Sequence, residues 1–170
     1  QITMDDGADL VSEIKFAKKY FDFVEITLKY NLNGYSKEYL RKIKSTINSF
    51  EVLGHIHWEV DITKKGSFKK ILENIKIYKF LGAKIITIHL PICSHSHLEN
   101  SRIEVFKTLE SASTYCQKNK IQLSVENNPK PPFDSPTEFI HLFAVNKNLS
   151  MTLDIGHAYR VSQKESQKFL

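Results

Sequence analysis

Ionisable side chains fall near the carboxyl ends of several short apolar runs in this sequence. Glu25, His55 and His89 lie in three runs rich in β-branched residues, and Glu126 and Asp154 lie near the ends of two more. A carboxylate inside a buried strand is costly unless it is paired or binds a metal. Histidine together with carboxylate is the ligand set that zinc, manganese and magnesium-like ions accept. The pattern therefore indicates a divalent-metal site.

Glu126, Asp154 and His157 are the candidate metal ligands of this site. The two carboxylates end successive runs, and His157 follows three residues after Asp154 in what reads as the next loop. Each has a structural alternative, because Glu126 could cap the following loop and Asp154 could accept hydrogen bonds from backbone amides. A lone strand histidine is also more often a core residue. Five such residues on five runs favour a shared site.

Other polar and aromatic residues fall in neighbouring loops. Trp58, directly after His57, could supply an apolar wall for a sugar ring or belong to the core. Cys93, His95 and His97 lie in the segment CSHSHLEN, which reads as a flexible polar loop that could line the same mouth.

Five β-rich runs alternate with helical patterns along the chain. The runs are FDFVEITL (21–28), EVLGHIHW (51–58), AKIITIHL (83–90), IQLSVEN (121–127) and LSMTLDI (149–155). One helix between each pair of strands requires right-handed crossovers and a parallel sheet, so the fold class is α/β. The carboxyl ends of parallel strands meet at one face, which brings the ionisable residues together. With QITM as a partial first strand, the sequence contains six βα units.

Serine and glutamate in capping-box spacing predict where helices begin. Such pairs occur at Ser101–Glu104, Ser135–Glu138 and Ser162–Glu165, and the first predicts a helix near 101–118. Pro136, which follows Ser135, has a fixed backbone angle that suits the first turn of a helix, and it supports a helix start at this pair.

Composition indicates one domain over residues 1–170, with 41% hydrophobic residues to form its core. No apolar run approaches the roughly 20 residues of a membrane span, so we expect a soluble cytoplasmic protein without a membrane partner. The net charge of +5 comes mostly from dispersed lysines, which read as solvated helix faces. Cys93 and Cys116 read as two reduced thiols.

The motifs FVEITL, GHIHWEVDI, GAKIITIHLP, LSVENNP and LDIGHA resemble those of the xylose-isomerase-like TIM barrel superfamily, in the same order and spacing. This superfamily includes sugar-phosphate isomerases and epimerases, and abasic-site nucleases of the endonuclease IV type. LDIGHA and the ENNP strand end are the most specific motifs. The resemblance implies a TIM (β/α)8-type barrel, here truncated after about six βα units.

The resemblance also implies the metal ligands. Glu126 is similar to the metal-binding glutamate of the fifth strand and Asp154 to the metal-binding aspartate of the sixth. His157 resembles the histidine that binds a metal or the substrate.

Further residues would face the substrate. His55 and His89 resemble histidines that contact substrate in the isomerase branch and bind zinc in the nuclease branch. Glu25 matches a second-strand glutamate with a less uniform role, and Trp58 is a candidate substrate wall. His57 stands where many relatives have proline, so no role is inherited.

The family's seventh and eighth strands normally supply a histidine and a glutamate that complete the metal site. A full barrel of this type needs about 250 residues. We therefore expect these 170 residues to be a domain incomplete at its carboxyl terminus, or half of an assembly such as a homo-oligomer.

The expected function is a metal-dependent isomerase or epimerase of a sugar or sugar phosphate, using Mn, Zn, Co or Mg. The reaction would pass through an enediolate, with Glu126 as metal-bound acid/base and His157 as the second catalytic residue. The alternative is an endonuclease IV-like, zinc-dependent abasic-site endonuclease with nucleic acid as partner. The basic charge suits it, but no loop rich in arginine or aromatic residues is present to hold a bent duplex. A third possibility is a barrel remnant that serves as a binding or assembly module.

Overall fold

A computed structural model describes residues 2–3, 9–130 and 132–161. The strands are β1 (Ile2–Thr3), β2 (Phe23–Thr27), β3 (Glu51–His55), β4 (Ile85–His89), β5 (Gln122–Glu126) and β6 (Leu149–Thr152). The helices are α1 (Leu10–Ala17), α2 (Lys37–Ile47), α3 (Ser67–Leu81), α4 (His95–Lys118), α5 (Pro136–Val145) and α6 (Ile155–Val161). Strand and helix alternate as the sequence predicts.

The six strands form one sheet in the order in which they occur in the chain, and every neighbouring pair is parallel. The register places His89 beside Glu126 and Glu126 beside Thr152. Residues in register on parallel strands face the same side of the sheet, so the carboxyl ends of β4, β5 and β6 present one row of side chains. The predicted α/β class with a parallel sheet is confirmed.

The helices bury one face each against the sheet. In α2 the fully buried positions are Ile43 and Ile47, and in α3 they include Ile71, Ile75 and Tyr78. These residues recur at three- or four-residue spacing, which is the period of a helix face. Burial of these apolar side chains stabilises the sheet that carries the site.

Tyr78 of α3 links two strand ends close to the site. Its hydroxyl accepts a hydrogen bond from the backbone N–H of Leu28 (3.1 Å) and donates one to the carbonyl of His55 (2.5 Å). The ring packs on Gly54, where an added Cβ would lie 2.6 Å from a ring carbon. Burial raises the pKa of Tyr78 far above its ordinary value, so the hydroxyl keeps the proton that it donates. These contacts fix the backbone that carries His55.

The start of α4 differs from the prediction. The helix begins at His95 with Ser94 as its N-cap, whose hydroxyl accepts a hydrogen bond from the backbone N–H of His97 (3.2 Å). The predicted start at Ser101 and the reading of CSHSHLEN as a loop are therefore wrong. The physical reason is Leu98, which is buried and extends the apolar face of the helix towards its amino end.

Helix α5 begins at Pro136 after Ser135, as predicted, although the Ser135 side chain makes no capping hydrogen bond. The predicted helix at Ser162–Glu165 lies outside the described residues. Among the helices of the described ranges, none is both long and apolar enough to cross a membrane. Both cysteines are free thiols.

Candidate functional site

Glu126 lies at the centre of the candidate site. It is the last residue of β5 and only 4% exposed. One carboxylate oxygen, Oε2, is 3.2 Å from Nε2 of His55, and the other, Oε1, is 3.2 Å from Nδ1 of His157. The register of the parallel sheet brings these groups together, although 71 and 31 positions separate the two histidines from Glu126 in the sequence. One buried carboxylate is therefore shared by two imidazoles.

The imidazoles of His55 and His89 meet beside Glu126. Their Nε2 atoms are 2.9 Å apart. The other ring nitrogen of His55, Nδ1, lies 3.3 Å from Oε1 of Glu25. A carboxylate on the far nitrogen of a histidine orients the ring and directs its second nitrogen to a metal or substrate. Glu25 thus reaches the site through His55.

Asp154 and His157 form the opposite side of the site. The Asp154 carboxylate accepts a hydrogen bond from the backbone N–H of His157 through Oδ1 (2.7 Å), and its Oδ2 is 3.7 Å from His157 Nδ1. His157 belongs to the first turn of α6, so its predicted place in a loop is wrong. The reason is that Asp154 caps this turn with its side chain. Asp154 therefore accepts a hydrogen bond from a backbone amide and also lies close to His157 in the candidate site.

Asn127 and Asn128 lie beside the candidate site, and the sequence analysis did not single them out. The amide of Asn127 accepts from the backbone N–H of Asp154 (2.7 Å) and donates to the Asp154 carbonyl (3.0 Å). Its own carbonyl accepts a hydrogen bond from His157 Nδ1 (2.9 Å). Asn128 donates to the carbonyl of Leu90 (2.7 Å). The signal was present in ENNP, where two amides follow a buried strand end.

Burial sets the protonation of the central groups. Burial, together with the neighbouring His55 and His157, lowers the pKa of His89 to about 4. At neutral pH His89 is therefore uncharged and keeps a lone pair on its ring. Burial also raises the pKa of Glu126, while the charges of His55 and His157 act in the opposite direction.

These residues fit a divalent metal. Donor atoms of Glu126, Asp154 and His157 lie within 4.8 Å of one another, and so do those of a second group, His55, His89 and Glu126. Neutral imidazoles and buried carboxylates are the donors that such ions prefer. The ring of His55 is also held by Glu25 on the nitrogen that points away from His89 and Glu126, which is the usual support of a metal-binding histidine. The fit to a divalent metal rests on these donor atoms and on the residue that orients the His55 ring.

The site opens into a cavity of about 920 Å³. His89 and His157 line it together with Trp58, Cys93 and His97. Trp58 is 66% exposed, which excludes the core role that the sequence left open. The structure thus brings six of the predicted residues into one cluster and places Trp58 on the cavity wall. The six are Glu25, His55, His89, Glu126, Asp154 and His157.

No protein-family model matches this sequence, and no curated protein matches it either. Solved structures do match. A D-tagatose 3-epimerase-like protein shares 19% identity with a TM-score of 0.72, over 88% of this chain and 64% of that one. A D-psicose 3-epimerase from Clostridium cellulolyticum H10, solved with D-tagatose, shares 15% identity with a TM-score of 0.74, over 96% and 66% of the two chains.

A third match carries a metal. A xylose isomerase-like TIM barrel protein from Mycobacterium smegmatis, in complex with magnesium, shares 11% identity with a TM-score of 0.67, over 86% of this chain and 56% of that one. The chain spans less than two thirds of the length of each of these three structures. At these identities the likeness concerns the fold, and it confirms the architecture that the resemblance predicted. The chain has the fold of the xylose isomerase-like TIM barrels, over about six of their βα units.

Proposed function

We propose that this protein is a divalent-metal-dependent isomerase or epimerase of a sugar. One observation carries the proposal: the buried carboxylate of Glu126 is held between His55 and His157, in a cluster whose donor atoms suit a metal. The fold is shared with structures described as sugar epimerases, and one structure with this fold is described in complex with magnesium. Both likenesses support the proposal.

Glu126, Asp154 and His157 would hold the metal. The Asn127 carbonyl, 2.9 Å from His157 Nδ1, holds this ring beside Glu126, whose Oε1 lies 3.2 Å from the same nitrogen. Asp154 contributes a carboxylate whose backbone is fixed on both sides by the Asn127 amide. When bound, the metal supplies positive charge beside the adjacent hydroxyl and carbonyl oxygens of the sugar.

Glu126 is the proposed acid/base. Its carboxylate takes a proton from the carbon next to the sugar carbonyl, and the electron pair of that C–H bond moves towards the carbonyl oxygen. Return of a proton to the former carbonyl carbon gives the isomer, with the hydroxyl proton of the first carbon passing to the former carbonyl oxygen. Return of a proton to the opposite face of the first carbon gives the epimer. Burial raises the pKa of the Glu126 carboxyl, whereas a bound cation would lower it. His55 and His89 would position the sugar hydroxyls.

A second candidate function has one specific observation in its favour. The His55, His89 and Glu126 group shares Glu126 with the first donor group, which would suit two neighbouring ions. Two ions that activate water and neutralise a phosphate are typical of phosphodiester hydrolysis, the reaction of an endonuclease IV-like enzyme. The structures reported above are described as epimerases or as a xylose isomerase-like protein, which favours the sugar reaction.

Glu126→Gln tests the proposal. The neutral amide cannot accept the substrate proton, so we expect exchange of the carbon-bound proton of a ketohexose into heavy water to fall by about 100-fold or more. Metal content measured on the same protein should fall with it. Glu110→Gln, at an exposed position of α4, is the matched control and should keep both. Undiminished exchange in Glu126→Gln would refute the proposal, and cleavage of duplex DNA at an abasic site would establish the second candidate instead.

A further inference from the structure

Three aromatic rings form a row along one wall of the cavity. The imidazole of His57 stacks on the indole of Trp58, with ring centroids 5.7 Å apart and planes inclined by 26°. His57 also meets the ring of Tyr30, with centroids 6.0 Å apart and planes inclined by 59°. Trp58 and Tyr30 both line the cavity, whereas His57 is only 4% exposed. The metal cluster uses none of these rings.

Two hydrogen bonds and a cation–π contact hold these aromatic residues in place. The backbone N–H of Glu59 donates to Nδ1 of His57 (3.2 Å), and the N–H of Val60 donates to the His57 carbonyl (3.0 Å). The ammonium group of Lys70 lies 2.9 Å from the centre of the Tyr30 ring, a favourable cation–π contact. These bonds fix the turn on which Trp58 sits. His57 therefore acts as a positioning residue for the indole.

The indole has one covered face and one open face. Its inner face packs on His57, yet the residue is 66% exposed and lines the cavity. A large aromatic side chain held rigidly with a free face is a stacking surface with little entropy to lose on binding. The apolar face of a sugar ring or an aromatic ring fits such a surface.

Part of the cavity lining offers hydrogen-bonding groups, and the charged side chains of the lining are the carboxylates of Glu59 and Asp61 and the ammonium of Lys64. Thr63 donates to Asp61 (2.6 Å), and its hydroxyl lies 3.3 Å from Nε2 of His97. Among the described residues that line the cavity, Lys64 is the only lysine or arginine, and its ammonium lies 3.5 Å from the Asp61 carboxylate. Hydroxyls suit this end better than a phosphate does.

The cavity is larger than one sugar ring requires. Its volume of about 920 Å³ lies near the top of the roughly 300–1,000 Å³ range that encloses drug-sized ligands. Most of the lining belongs to the segments that follow β2, β3, β4 and β5, in the middle of the sheet. A ring bound at His89 and His157 would leave space for a second ring at Trp58.

We propose that Trp58, positioned by His57, forms a subsite that stacks the second ring of an uncharged glycoside. The substrate class is then a ketose that carries a further sugar ring, rather than a free monosaccharide or a sugar phosphate. This inference rests on the proposed function for the reaction itself. The binding at Trp58 is separate from it, because no metal ligand takes part.

The fluorescence of Trp58, the single tryptophan of the chain, reports this binding directly. The protein is titrated in EDTA with lactulose, a disaccharide that contains a ketose, and in parallel with D-fructose and D-fructose 6-phosphate. We expect lactulose to change the emission and to bind about tenfold more tightly than either monosaccharide. Equal affinities, tighter binding of the phosphate or no change in emission with lactulose would overturn the inference.

Variants then separate stacking from catalysis. Trp58→Ala should raise KM for lactulose about tenfold more than it raises KM for D-fructose. His57→Ala should raise the same KM, and His57→Phe, which keeps a ring behind the indole, should restore it in part. Tyr20→Ala, at an aromatic side chain that is 67% exposed and outside the cavity lining, is the control. An equal change in KM for both sugars would contradict the subsite. Fluorescence binding without proton exchange on any sugar would retain the subsite and refute the proposed function.

Discussion

At the scale of single residues, the candidate site depends on how its buried charges are supported. Glu126 is almost fully buried, a position that is costly for an unpaired carboxylate. It is accommodated because His55 and His157 each bring a ring nitrogen within 3.2 Å of one of its oxygens. Both rings are held in turn, His55 by Glu25 and His157 by the Asn127 carbonyl. Glu25 and the Asn127 carbonyl therefore control the geometry of the site through these two rings.

Glu25→Gln tests this support directly. The amide keeps the size of the side chain but loses the charge that holds Nδ1 of His55 at 3.3 Å. His55 in turn holds the proposed metal ligand Glu126, 3.2 Å from its Nε2, and loss of a support behind a ligand typically weakens metal binding by about 10–100-fold. We expect that loss for Mn²⁺ measured by isothermal titration calorimetry, with an unchanged circular dichroism spectrum. Glu51→Gln, at the exposed start of β3, should bind Mn²⁺ like the parent protein. Unchanged affinity in Glu25→Gln would show that His55 has no part in the metal site.

His89 gives the site a pH dependence in the absence of metal. Burial, together with the neighbouring histidines, lowers its pKa from 6.5 to about 4 in the folded protein. Between these two values the unfolded chain binds a proton that the folded protein does not, so stability is lost as pH falls. The full loss is about 3 kcal/mol, reached near pH 4.

His89→Asn removes this titration and is the matched comparison. In EDTA, the unfolding free energy of the parent protein minus that of the variant should fall by about 3 kcal/mol between pH 6.5 and pH 4. Glu126 titrates with the opposite sign because its pKa is raised, but it is present in both proteins and its effect largely cancels in the difference. Urea denaturation at several pH values measures the difference. A difference independent of pH would contradict the burial of an uncharged His89.

At the scale of the elements, the start of α4 shows how a local pattern can mislead. Ser101 and Glu104 have capping-box spacing, but both lie inside a helix that starts six residues before Ser101. The apolar face of α4 determines where the helix begins, because Leu98, Val105 and Leu109 are all buried. Tertiary burial outweighs a capping preference of about 1 kcal/mol.

Two serine variants distinguish the observed cap from the predicted one. Ser94→Ala removes the hydroxyl that accepts from the His97 N–H, so we expect a loss of about 1 kcal/mol in the unfolding free energy. Ser101→Ala replaces a residue inside the helix by a stronger helix former and should leave stability unchanged or slightly raised. Urea denaturation of both variants measures the effect. Destabilisation by Ser101→Ala alone would mean that the helix begins where the sequence pattern placed it.

Much of the fold could be predicted because its determinants are local and periodic. The five β-rich runs and the buried faces of α2 and α3 follow from residue spacing, and the parallel sheet follows from their alternation. The contacts within the site could not be predicted in this way. The pairing of Glu25 with His55 and the double hydrogen bond between Asn127 and Asp154 depend on strand register. His57 gave no sequence signal either, because its role depends on the rings that flank it.

At the scale of the whole molecule, the candidate ligands connect segments that are distant along the chain. His55 ends β3, His89 ends β4, Glu126 ends β5, and Asp154 with His157 joins β6 to α6. A metal bound to donors on several of these segments would be lost when the sheet unfolds, because the unfolded chain no longer brings them together. Metal binding should therefore stabilise the entire parallel sheet and not only the strand ends.

Thermal unfolding with and without Mn²⁺ measures this linkage. At a free metal concentration 100 times the dissociation constant, we expect the unfolding free energy to rise by about 2.7 kcal/mol. Glu126→Gln should show little of this increase, because it removes the carboxylate common to both donor groups. Glu110→Gln on the exposed surface of α4 should show all of it. Ca²⁺, which prefers six to eight oxygen ligands, should stabilise the protein less than Mn²⁺, since histidine nitrogens belong to both donor groups. An equal shift in Glu126→Gln and in the parent protein would place the stabilising ion elsewhere on the molecule and would remove the metal from the proposed site.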